Sequence, residues 1–230
     1  MAVSPRRLVV FVCLGCCLAG VAATGSVAAT GEEIELENGI SQSETEGVVD
    51  VETRVSIPDA VGEFELELPE EAEVYELDGF ERSGDRTYEW TGATAEPSLR
   101  YEFDGTVGGT HPGHDGSSFV VAEEWALVRT PSIGASWRST EDVEFVRGNV
   151  ADGRGVASTR MAYLGSYTEH TDRAAGQTFR LVVPEAAELI EEPGAVLDAL
   201  RAAAARLVIG ERNPEVFAVA APTADHEWGP

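Results

Sequence analysis

Apolar and charged residues alternate with a period of two from Val48 onward, and this pattern constrains the fold more than any other feature. Val49, Val51, Thr53, Val55 and Ile57 interleave with Asp50, Glu52, Arg54 and Ser56, which describes a strand with one wet face that ends at Pro58. Phe64, Leu66 and Leu68 alternate with Glu63, Glu65 and Glu67, and Pro69 closes that run. Tyr75 and Leu77 lead to a turn at Asp78-Gly79. Tyr88 and Trp90 follow Ser83-Gly84-Asp85, and Leu99, Tyr101 and Phe103 alternate with Arg100, Glu102 and Asp104. A meander of this kind closes into an antiparallel sandwich.

Later segments extend the β character. Phe119 to Arg129 reads as strand, with Trp125 and Leu127 facing one way, and Val143 and Phe145 open another. Residues 148–155 read as a junction. Met161-Ala-Tyr-Leu164-Gly-Ser-Tyr167 and Phe179-Arg-Leu-Val-Val183 are expected to pair through a polar turn over residues 168–177, with His170 in a solvated loop. Residues 185–190 are expected to form one helical turn.

The pattern then changes to a helical period. Pro193 suits a first helical position, and Glu191 and Glu192 suit the positive end of the helix dipole. Val196, Leu200, Ala203 and Leu207 form one apolar stripe, with Arg201 and Arg206 opposite and Gly210 as a C-cap. Val216-Phe-Ala-Val-Ala220 follows as a buried strand. The expected class is therefore mainly β: an antiparallel β-sandwich-like domain over residues 48–150, then a small α/β (strand–helix–strand) unit over 151–230.

The N-terminus reads as an export signal. Arg6 and Arg7 precede the apolar run of residues 8–23, and Val27-Ala28-Ala29 offers a cleavage site after Ala29. The order Arg6-Arg7-Leu8-Val9-Val10 also fits a twin-arginine signal. The run is shorter than the ~20 residues of a membrane span, although an uncleaved anchor stays open as an alternative. Cys13, Cys16 and Cys17 are the three cysteines and all fall inside it, so the exported chain is expected to have no disulfide and no thiolate metal site. Residues 30–47, acidic and poor in aromatics, read as a flexible lead-in.

Charge narrows the function classes. The chain has 41 acidic residues against 16 basic ones, every basic residue is Arg, and the net charge is −25. Such self-repulsion opposes compaction in dilute buffer but is screened at molar salt, where the Debye length is about 3 Å. The composition fits a halophilic protein. With 43% hydrophobic residues in regular patterns it is not that of a disordered chain. No basic face is available for nucleic acid.

Motifs of chemistry are sparse. His111-Pro-Gly-His114-Asp115 could hold a metal or be a glycine-rich hairpin loop, since Pro112 and Gly113 keep the two imidazoles off one helix face. Trp125 and Trp137 are either ligand platforms or, more in keeping with β domains, core packing. His-Glu-x-x-His, Gly-x-Ser-x-Gly, P-loop and dinucleotide fingerprints are all absent.

The exported β-rich domain, the strand–helix–strand unit and the turn Asp225-His226-Glu227-Trp228-Gly229 resemble the glycyl-aminopeptidase-like zinc metallopeptidases of the gluzincin clan. Leu77-Asp-Gly-Phe80, Glu124-Trp-Ala-Leu-Val-Arg129 and Ala221-Pro-Thr223 look like stretches of haloarchaeal relatives in which a His-Glu-x-x-His segment follows. The resemblance implies that Glu227 occupies the place of a glutamate that holds the substrate's free amino group. Ala224-Asp225 stand where that family has two glycines, and Trp228 where it has histidine. Zinc and a peptide substrate are thereby implied for a longer relative only. This chain lacks the two imidazoles and the glutamate that such hydrolysis needs, so no catalytic residue and no metal ligand is assigned within it. The runner-up is a self-sufficient secreted β-domain that binds a cell-surface partner or glycan.

Overall fold

The computed structural model describes residues 10–13, 32–45, 47–106, 119–206 and 215–220. In chain order the strands begin with β1 (Val10–Cys13), β2 (Glu32–Gln42), β3 (Val49–Ser56), β4 (Val61–Glu67), β5 (Ala72–Asp78) and β6 (Phe80–Arg82). Next come β7 (Thr87–Trp90), β8 (Ser98–Phe103), β9 (Val120–Val121), β10 (Ala126–Arg129), β11 (Gly134–Ser139) and β12 (Val143–Ala151). The last are β13 (Gly155–Ala157), β14 (Met161–Leu164), β15 (Tyr167–Ala174) and β16 (Gln177–Pro184), then the helix α1 (Pro193–Arg206) and β17 (Glu215–Ala220).

Two sheets form the sandwich anticipated from the alternation. One has the order β12-β2-β3-β8-β5 and the other β11-β4-β7-β6. Their facing sides contribute Leu36, Val51, Tyr101 and Phe103 from the first and Phe64, Leu66 and Tyr88 from the second to one core. All pairings are antiparallel except β12 with β2, which is parallel. Gly79 makes the β5–β6 turn at φ +70, and a Cβ there would come within 2.5 Å of Thr94 Cγ2. Only glycine fits both demands.

A third sheet, β13-β14-β10-β9, lies beneath the sandwich and is covered on both sides. Ala126, Val128, Ala162 and Leu164 join the sandwich core, while Leu127, Met161 and Tyr163 face the opposite way. That second face meets Val182, Phe217 and Val219 of the fourth sheet, ordered β1-β17-β16-β15. The far side of the fourth sheet presents Phe179, Leu181, Val216 and Ala218 to Val196, Leu197 and Leu200 of α1. The order is thus sandwich, sheet, sheet, helix. Strands covered on both faces read as unbroken apolar runs, which is why Met161–Leu164 and Val216–Ala220 do not alternate. β16, α1 and β17 form the expected strand–helix–strand unit, with β16 and β17 parallel.

Several local expectations are corrected. Within the expected flexible lead-in at residues 30–47, Glu32–Gln42 is instead β2, placed inside the five-stranded sheet, with Ile34, Leu36 and Ile40 at most 1% exposed. The glutamates at 33, 35 and 37 occupy its wet face. Met161–Leu164 pairs with β10, not with β16. β16 instead pairs with β15, so residues 168–177 are mostly strand and the turn is Ala175-Gly176. His170 therefore sits on β15 opposite Leu181 rather than in a loop. Residues 148–155 are the end of β12 and the turn into β13. Residues 185–190 contain no helix.

On α1 the covered stripe is Val196, Leu197, Leu200 and Ala204, whereas Ala203 is exposed and Leu207 lies outside the described residues. Arg201 is not on a free face, because it pairs with Asp172 of β15 and Asp198. Of the apolar run at residues 8–23, only Val10–Cys13 is described, aligned antiparallel to β17. No helix among the described residues is long and apolar enough to cross a membrane.

A polar ladder crosses the sandwich interior. The Thr53 hydroxyl donates to Asn38 Oδ1 at 2.7 Å and lies 3.4 Å from the Tyr101 hydroxyl. Asn38 Nδ2 donates to Asn149 Oδ1 at 2.9 Å, and Asn149 Nδ2 donates to the Ser158 carbonyl at 3.0 Å. It links β12, β2, β3 and β8 in sequence, which fixes their register, since a one-residue slip would strand each polar group among hydrocarbon.

Candidate functional site

The ends of three sheets converge on a half-open cavity of about 750 Å³. β2 contributes Gln42, the β9–β10 turn Glu124 and Trp125, and the β12–β13 turn Asp152 and Arg154. The end of β14 and the following turn supply Tyr163, Gly165 and Ser166, and Glu185 follows β16. No single segment carries this set; the stacking of the layers assembles it.

The turn at Gly165-Ser166 is the keystone. Gly165 N–H donates to the Arg154 carbonyl at 2.8 Å, and Glu185 N–H donates to the Ser166 carbonyl at 2.9 Å. Arg154 Nη1 also donates to Ser166 Oγ at 3.1 Å. Gly165 has φ +133, and a Cβ there would stand 2.8 Å from the Tyr163 hydroxyl and 3.1 Å from Trp125 Cβ. Its bare backbone is what lets Tyr163 and Trp125 close on either side. The Tyr163 hydroxyl reaches the Ser166 carbonyl at 3.4 Å. Burial, reinforced by the Glu185 carboxylate, pushes its pKa up to about 12, so the hydroxyl keeps its proton at neutral pH.

The wall thus offers three carboxylates as acceptors, a guanidinium, the Tyr163 and Ser166 hydroxyls and the Gln42 amide as donors, and an indole. Neither histidine nor cysteine is among its lining residues; its titratable groups are carboxylates, a guanidinium and a phenol. None of the described residues forms a group of three or more His, Cys, Asp or Glu that could hold a metal ion. The zinc implied by the resemblance therefore has no fit among them, and no chemical step is assigned through it.

The residues singled out from sequence separate as follows. Glu227, His111, His114 and Asp115 lie outside the described residues. Trp137 packs, stacking on Phe145 with ring centroids 5.4 Å apart. Trp125 both packs against the second core and lines the cavity. Gln42, Asp152, Arg154, Tyr163, Ser166 and Glu185 were not anticipated as a site. The turn residues Asp152-Gly153 and Gly165-Ser166 were the only local signal, and turns do not reveal which other turns they will meet.

No protein-family model and no curated protein matches the chain. Among solved structures, it is similar to an aminopeptidase N family protein from Idiomarina loihiensis, with a TM-score of 0.40 and 10% identity. That match covers 85% of this chain and 44% of the other, so the chain spans less than half of that protein's length. It is also similar to a non-cellulosomal cohesin from Archaeoglobus fulgidus (TM-score 0.27, 12% identity, 53% of this chain and 92% of that one). The seventh ScaB type I cohesin from Pseudobacteroides cellulosolvens gives a TM-score of 0.28 at 12% identity, over 55% of this chain and 97% of that one.

Proposed function

We propose that this chain is the non-catalytic N-terminal portion of an exported, halophilic metallopeptidase-like protein. In this reading a β-sandwich scaffold is joined to the opening strand–helix–strand unit of a catalytic-like domain. The observation that carries it is the apolar joint between the third and fourth sheets, where Leu127, Met161 and Tyr163 meet Val182, Phe217 and Val219. Burial of each large member of that joint contributes about 1.5–3 kcal/mol, enough to hold the β16–α1–β17 unit against the scaffold. Export is supported by the Arg6-Arg7 and apolar segment, and halophily by the lysine-free acidic composition. Glu227 would then serve a peptide substrate's amino group in a full-length relative, and zinc would belong to such a relative.

The test uses the purified chain at molar salt, free of any longer version. Metal analysis is expected to find no stoichiometric zinc, and aminoacyl substrates are expected to stay intact. Chelator-sensitive release of amino acids, with one zinc per chain, would sink the reading. The runner-up, a self-sufficient secreted β-domain that binds a cell-surface partner or glycan, is favoured by one observation: the cavity around Trp125 sets hydrogen-bonding groups beside an aromatic ring.

A further inference from the structure

The cavity's wall is mixed in a way that discriminates among ligand classes. Asp152, Glu124 and Glu185 offer oxygens that only accept, while Arg154 and Ser166 offer donors, and Trp125 supplies a half-buried ring. A carboxylate or phosphate ligand would meet three charges of its own sign. An ammonium ion would be drawn by the same three carboxylates but would also meet the like charge of Arg154, which Ser166 holds in the wall. A hydroxyl suffers neither conflict, because it donates to a carboxylate and accepts from a guanidinium at the same time. An aromatic ring beside such groups suits a ligand with a C–H face as well as hydroxyls. About 750 Å³ is also within the ordinary range of small-ligand pockets.

The site is preformed. The three hydrogen bonds around Gly165-Ser166 tie the β12–β13 turn, the β14–β15 turn and the end of β16 together, so no loop has to be ordered when a ligand arrives. Recognition of a neutral ligand by short-range contacts also survives molar salt, where attraction between opposite charges is screened within about 3 Å.

We propose that this cavity binds a neutral saccharide, lying against Trp125 and hydrogen-bonded through Asp152, Arg154 and Glu185. The proposal goes beyond the scaffold reading and is independent of it, since neither zinc nor peptide hydrolysis enters. It gives the glycan alternative a defined place and a defined set of groups.

The full chain, held at the salt that keeps it folded, is titrated with maltose, cellobiose, mannose and N-acetylglucosamine by saturation-transfer NMR and tryptophan emission. At least one sugar is expected to bind saturably, with a dissociation constant that changes less than about twofold between 1 and 3 M NaCl. Asp152→Ala and Glu185→Ala alter exposed side chains, and each is expected to weaken binding about tenfold or more while the circular dichroism spectrum is retained. Trp125 also packs in a core, so Trp125→Phe is used with Trp125→Ala to keep the ring-stacking arm readable should the alanine variant unfold. Absence of saturable binding by all four sugars overturns the proposal. So does unchanged affinity in the Asp152→Ala, Glu185→Ala double variant. Occupation of the site by N-acetylarginine amide instead, with affinity falling as salt rises, overturns it in favour of a cation site.

Discussion

Thr53 is fully buried, and its hydroxyl supplies the proton that satisfies Asn38 Oδ1 inside the sandwich. Thr53→Val keeps the shape but leaves that oxygen without a donor, at an expected cost of about 1–3 kcal/mol in chemical denaturation. Tyr101→Phe removes only the 3.4 Å contact and is expected to cost about 1 kcal/mol or less. If the two variants proved equally stable, the ladder would not be setting register. Asp50 presents the opposite case on the wet face of β3. Partial burial raises its pKa, the Tyr75 hydroxyl opposes that by donating at 3.3 Å, and the Glu102 carboxylate adds to the rise. A carboxyl raised in the folded state binds its proton more tightly there, so it costs stability as pH climbs from the unfolded value of 3.8 through the folded one. Asp50→Asn is expected to raise the melting temperature slightly at pH 7, with the gain vanishing below about pH 4. Melting curves across that range check both the sign and the window.

Among elements, β2 shows how composition can hide a strand. Ile34 and Leu36 alternate with Glu33, Glu35 and Glu37, the same period that marks β3 and β4, yet the acidic run reads first as solvated chain. The pattern was legible, and so in principle was the neighbouring β3; what was not legible was the partner on its other edge, because β12 pairs with it in parallel from over 100 residues away. Leu36→Ala is expected to destabilise the fold by about 2–5 kcal/mol in chemical denaturation, where a flexible lead-in would show no effect. The helix α1 makes a complementary point. Its existence and its Pro193 start follow from spacing, but the choice between Ala203 and Ala204 as the inner residue depends on how the helix sits on Phe179 and Leu181. Leu197→Asp is expected to unfold the β16–α1–β17 unit, while Ala203→Glu is expected to shift the melting temperature by less than about 2 °C. The reverse ranking would place the helix on its other face.

For the molecule as a whole, a net charge of −25 works against three apolar cores stacked between the sandwich and the helix. Arginines offset part of the repulsion locally: Arg180 bridges Glu169 and Glu215 with contacts of 2.9 to 3.0 Å, and Arg100 joins Glu52 to Glu76. Pairs at the surface, such as those of Arg100, contribute about 0–1 kcal/mol each, too little to balance the excess of acid, and in the halophilic reading screening by salt supplies the rest. Circular dichroism is therefore expected to show reversible unfolding as NaCl falls from molar to millimolar, and an unchanged spectrum would reject the halophilic reading. The sequence alone determined the β class, the sandwich alternation and the strand–helix–strand ending, because each is written in a local period that solvent enforces residue by residue. Only the tertiary structure decided that β2 and β12 pair in parallel, that β10 and β14 are covered on both faces, and that Asp152, Tyr163 and Glu185 share one cavity. Those are meetings between segments far apart in the chain, and local periodicity carries no record of which distant surface will cover which.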